Sequence, residues 1–187
     1  LVHPFEFTGS EYAVVIDGSL SSNSSIESLV DCFVGSRCDL GVLLSHEPML
    51  LDRISKWEHR RRITHKEACR LYDLLKRLAH PYYMGTVAGA VRLYRNTGRT
   101  RQYLEKCWDL LFDGPDIARL DEVPSTLALE LVDGLDIMPF STHLIQGDVF
   151  QYHSHGGDAK VKLPFNRTKF WLMDKKVTPV FIGDEYH

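Results

Sequence analysis

No run of 18 apolar residues occurs anywhere in the chain, so no membrane span is indicated. The start at Leu1 shows neither an initiator Met nor a signal-like apolar stretch. Together these absences set the expectation of an intracellular domain internal to a longer protein. Catalytic signatures are missing as well: there is no GxSxG, no phosphate-binding P-loop and no HExxH. Pro115-Asp116 is followed by Asp121 and Glu122, but neither Glu130-Leu131-Val132 nor Asp136-Ile137-Met138 adds the lysine that a two-metal nuclease needs beside its acids. The four cysteines, Cys32, Cys38, Cys69 and Cys107, form no CxxC pair, which reads as reduced, packed thiols without a base in fixed register. His143, His153, His155 and His187 cluster late but lack a cysteine to complete a zinc set. The expectation is therefore a non-catalytic chain with no metal and no cofactor. Excess positive charge is also lacking. The 22 Lys and Arg against 25 Asp and Glu leave −3, with a pI near 6.3, which argues against coating long nucleic acid through phosphates.

What is present fits one globular domain over residues 1–187, 44% hydrophobic and 25% charged. The first third reads as strands: Phe5 and Phe7 alternate around Glu6, and Tyr12-Ala13-Val14-Val15-Ile16 is β-rich. Ile26 to Val34 fits helix or strand, and Leu40 to Leu44 is short and apolar. Arg53, Lys56, Arg60, Arg61 and Arg62 lie within ten positions and read as a solvated strand or loop face. Thr64 with Glu67 forms a capping box that predicts a helix over Thr64–His80, with a buried stripe of Ala68, Leu71, Tyr72, Leu75 and Leu78. A second helix is predicted over Tyr82–Tyr94. A third covers Thr100–Phe112 with Leu104, Cys107, Trp108 and Leu111 inward, and a short fourth spans Leu127–Val132 before Gly134. Strands return at Ile137–Ile145 and Val149–Tyr152 around Gln146-Gly147-Asp148. A terminal hairpin is predicted from Phe170–Met173 and Val177–Ile182. Strands, helices, then strands gives α+β, a mostly antiparallel sheet packed against a helical group.

The aromatic rings, Phe5, Phe7, Tyr12, Trp57, Trp108 and Trp171, are candidates for stacking on a base. Phe5-Glu6-Phe7-Thr8-Gly9 is similar to the F-x-F-G-G opening of one family. The stretch Arg95 to Phe112, Gly134-Leu135-Asp136-Ile137-Met138-Pro139 before Gly147, and Asn166-Arg167-Thr168-Lys169-Phe170-Trp171-Leu172 through Val177 to Glu185 follow its order and spacing. By these features the chain resembles the mRNA-cap-binding domain of orthomyxovirus polymerase basic protein two, on a branch like the tick-borne thogotoviruses. The resemblance implies a middle domain of a viral RNA-dependent RNA polymerase subunit used in cap-snatching. Its implied places are the host nucleus and the virion. The implied partners are other polymerase subunits and capped host mRNA bearing 7-methylguanosine. Phe5, Phe7, His46 and Lys56 are the cap-binding residues it implies. In the same register the family's guanine-reading glutamate falls near Leu50, and its helix aromatic near Leu75 or Leu78. Cap affinity is accordingly expected to be weak or lost, the alternative being a purely structural and interaction domain.

Overall fold

The β-branched run from Tyr12 forms β1 (Tyr12–Ile16), followed by β2 (Leu20–Ser22). After them come α1 (Glu27–Ser36), β3 (Leu40–Leu44), α2 (Leu50–His59), α3 (His65–Arg77) and β4 (Val87–Arg95). The remaining elements are α4 (Gly98–Phe112), α5 (Glu122–Leu131), β5 (Ile137–Phe140) and β6 (Phe150–Tyr152). This is a computed structural model, and it describes residues 9–17, 20–22, 26–44, 50–77, 86–112, 121–140 and 150–152. The terminal hairpin, the 146–148 turn and the late histidines lie outside those residues.

A four-stranded sheet runs in the order β1-β4-β3-β5, and β2 pairs with β6 in a separate antiparallel ribbon. The β1–β4 and β4–β3 pairings are antiparallel, and β3–β5 is parallel. The α+β class holds, with a mixed sheet.

Residues 87–94 correct the expectation of a helix. They form β4, which lies between β1 and β3 and is covered on both faces. Val91 and Leu93 join Phe33 and Leu29 of α1, while Val87 and Tyr94 join Tyr103 and Leu104 of α4. A bulge opposite Val42 and Leu43 shifts the register, with Leu43 opposite Ala88 and Val42 opposite Arg92. The bulge breaks the two-residue alternation that marks a strand, so this run carries no clean period.

The basic run corrects a second expectation in part. Arg53 and Lys56 lie on a helix, α2, whose Leu50, Ile54 and Trp57 recur at helical spacing and are buried, while Arg60, Arg61 and Arg62 are exposed in the turn that follows, as expected. The ambiguous segment after Ile26 is also helical, as α1. The α4 helix appears as predicted, but its inward face is Tyr103, Leu104 and Cys107, and Trp108 is half-buried rather than core.

Helix α5 joins two clusters. Val123 and Leu127 pack with α2 and α3, while Ala128 and Leu129 pack under the sheet. At the start of β3, Asp39 ties three elements together. Its carboxylate accepts from Thr97 Oγ1 at 2.7 Å and from the Asp136 N–H at 3.0 Å. Its carbonyl accepts from the Arg95 N–H at 2.9 Å.

Candidate functional site

Of the four residues implied for cap binding, Phe5, Phe7 and His46 lie outside the described residues. Lys56 is placed, half-buried on α2. Burial pushes its ammonium below the usual lysine range, and the neighbouring Arg60 and Arg62 add to that shift. Leu50 and Leu75, in the register of the guanine-reading acid and the helix aromatic, are 0% and 1% exposed and pack in one cluster with Trp57. The Trp57 indole is 3% exposed, with the Arg53 guanidinium 5.1 Å from its ring centroid. Arg53 also donates to both Glu122 carboxylate oxygens, from Nε at 2.9 Å and from a terminal nitrogen at 3.0 Å. That fork fastens α2 to α5 and leaves no open indole face on that side for a base. Tyr12 is likewise occupied: its ring meets Phe33 edge-on at 6.1 Å, with the Arg95 guanidinium 6.0 Å from its centroid.

Two of the acids weighed against a nuclease serve as ion-pair partners, and Asp116 lies outside the described residues. Glu122 holds Arg53, and Asp121 accepts from the buried Arg92 guanidinium at 2.8 Å. Among the described residues, no three His, Cys, Asp or Glu side chains converge as metal ligands. No helix among them is long and apolar enough to cross a membrane.

The turn from α2 to α3 exposes three consecutive arginines, Arg60, Arg61 and Arg62. Helix α2 ends with the Arg62 N–H bonded to the Trp57 carbonyl and the Arg61 N–H to the Glu58 carbonyl, both at 2.9 Å. This is the Schellman pattern, and it places Arg61 in the left-handed region at φ 55°. Helix α3 then starts on its capping box: the Thr64 N–H donates to Glu67 Oε2 at 2.6 Å, and the Glu67 N–H donates to Thr64 Oγ1 at 3.2 Å. Farther along α3, Arg70, Asp73, Lys76 and Arg77 line a shallow groove of about 480 Å³.

One line of groups was not legible as a motif. Glu58 Oε1 lies 2.6 Å from His65 Nδ1, and His65 Nε2 lies 3.4 Å from Cys69 Sγ. The thiol therefore does have an imidazole beside it, and the signal available was the four-residue spacing of His65 and Cys69 on one helix face. Its His65 side chain is 82% exposed, so water competes with both contacts. No protein-family model matches this chain, and no curated protein or solved structure matches it.

Proposed function

We propose that the chain is a non-catalytic, cap-binding-like domain of an orthomyxovirus-type polymerase subunit, with weak or lost affinity for the cap. Support for the family reading is the co-linear order of the Phe5-Glu6-Phe7, Gly134–Pro139 and Asn166–Leu172 segments. The single observation behind weak affinity is the burial of Leu50 and Leu75 at positions where the family places its base-reading acid and stacking ring. A leucine offers no π face, which forfeits part of the roughly 1–3 kcal/mol that stacking on a base supplies. It also offers no acceptor for the guanine N–H donors, and leaving these unpaired on burial costs about 1–3 kcal/mol more.

Calorimetric titration of the 187-residue chain with 7-methyl-GTP and with GTP tests this reading. The expected result is weak binding with little preference for the methylated base. A low-micromolar, methyl-selective dissociation constant that is abolished by Phe5→Ala or His46→Ala would overturn it. The same reading makes the domain chiefly an interaction module for the other polymerase subunits.

A further inference from the structure

The whole chain is at −3, yet Leu50–Arg77 carries nine Lys and Arg against four Asp and Glu, a local +5 that leaves −8 for the rest. Two of those acids are engaged locally, Glu58 with His65 and Glu67 with the start of α3. Among the cations, Arg53 is held by Glu122. Arg60, Arg61, Arg62, Lys66, Arg70, Lys76 and Arg77 are all exposed.

Their arrangement is ordered by the helix. Lys66, Arg70 and Arg77 recur at spacings of four and seven, which puts them on one face of α3, with a single exposed acid, Asp73, between the two arginines. Ala68, Leu71 and Leu75 occupy the opposite, buried face. The three cations stand about 6 and 10 Å apart along the axis, and the exposed Arg60–Arg62 turn comes just before the helix start.

Two features work against stability here and point to another use. Like charges are crowded: burial lowers the Lys56 ammonium, and the nearby Arg60 and Arg62 lower it further. Arg61 also holds a left-handed backbone, φ 55°, where glycine is the residue of least strain. Five of the seven exposed cations are arginines, whose guanidinium forks match phosphate oxygens. Among the described residues, the exposed large hydrophobic side chains, Val15, Ile16, Val34 and Leu131, all lie on other elements. A protein partner would want an apolar centre in its interface, whereas nucleic-acid interfaces are polar and strongly positive.

We infer that the Arg60–Arg62 turn and the Lys66–Arg70–Arg77 face of α3 form a binding surface for the phosphodiester backbone of a nucleic acid. Recognition there is independent of base sequence and needs no cap. It therefore stands apart from the cap-binding reading, and a negative 7-methyl-GTP titration leaves it intact.

Fluorescence anisotropy of the 187-residue chain with labelled, uncapped single-stranded RNA tests it, with single-stranded DNA as a second arm. The affinity is expected to fall with salt, at a slope of about −0.7 in log K against log salt per phosphate contacted. Arg61→Gly relieves the left-handed residue while removing one charge. It is expected to weaken binding about threefold with an unchanged or raised melting temperature. The double variant Arg70→Glu, Arg77→Glu is expected to weaken binding by more than about tenfold with circular dichroism unchanged. Arg101→Glu, an exposed reversal on α4, is expected to leave it as it was. Equal weakening of both arms by these variants assigns the surface to the shared phosphodiester chemistry, and loss confined to RNA assigns it to RNA. The inference is overturned by no salt-sensitive binding, by binding that Arg61→Gly and the double variant leave unchanged, or by an equal effect of Arg101→Glu. Competition by polyglutamate stronger than by unlabelled RNA also overturns it, in favour of an acidic peptide.

Discussion

Arg92 brings a charge into the wall between β4 and α5. Its side chain is 5% exposed, its terminal nitrogen donates to Asp121 at 2.8 Å, and its Nε has no hydrogen-bond partner. Gly89 makes room for the pair, since a β-carbon there would lie 3.2 Å from both the guanidinium and the Asp121 carboxylate. Asp121→Ala leaves the guanidinium buried without its counter-charge. It is expected to destabilise the fold by about 1–3 kcal/mol, toward the lower end because Asp121 is 46% exposed. Urea denaturation checks the value. The two described tryptophans also separate at this scale. Trp57→Ala removes a ring that is 3% exposed and is expected to cost about 3–5 kcal/mol, while Trp108→Ala, from a half-buried site, costs clearly less. Equal losses would mean that the inward face of α4 is misassigned.

Individual elements depend on local devices that the same measurements reach. Thr64→Ala removes one half of the reciprocal cap on α3 and is expected to cost about 1 kcal/mol. In β3, Gly41 lies against β4, and an added β-carbon would sit 2.8 Å from the Leu93 Cβ, which cannot swing away. Gly41→Ala is therefore expected to destabilise by about 1–3 kcal/mol, read as a lowered urea midpoint. The junction of α4 and β4 should respond to alkali. Burial pushes the Cys107 thiol and the Tyr94 phenol up to about 12, and the Tyr103 phenol well above its usual value. The folded chain keeps these protons after the unfolded chain has released them. The stability they confer is therefore whole below the ordinary thiol value of 9.0 and is lost as pH rises from there toward about 12. Urea midpoints should be level up to about pH 8 on their account and fall above pH 9. Cys107→Ala should flatten the first part of that fall, and an unchanged slope would place the thiol outside the core.

Across the molecule, α5 sets the cooperativity. Because it contributes to both the helical cluster and the cluster under the sheet, Leu127→Ala should lower one shared transition instead of releasing the α2–α3 pair alone. The expected loss is about 2–5 kcal/mol. Far-UV circular dichroism and tryptophan fluorescence, which includes Trp57 in the helical cluster, should then report the same midpoint. Separate midpoints would show the α2–α3 pair to be a unit of its own.

The sequence by itself determined the elements whose signals are local. Thr64 and Glu67 set the start of α3 because a reciprocal cap needs only four residues. The stripe of α3 was legible because a helix surface repeats its own period, whereas on α4 the same period found Leu104 and Cys107 but set Trp108 inward in place of Tyr103. Tertiary structure decided the rest. The segment from Val87 is a strand because neighbours on both sides supply its hydrogen bonds and both of its faces are covered, conditions that no window of sequence contains. A bulge then erased the alternation. Trp57 was open to reading as a stacking ring until Arg53 and Glu122, 69 residues apart, closed over it. The same applies to the basic residues: their number is plain in the sequence. Whether they oppose acids or gather on one face depends on α2 ending in a left-handed arginine and on α3 turning its leucines inward.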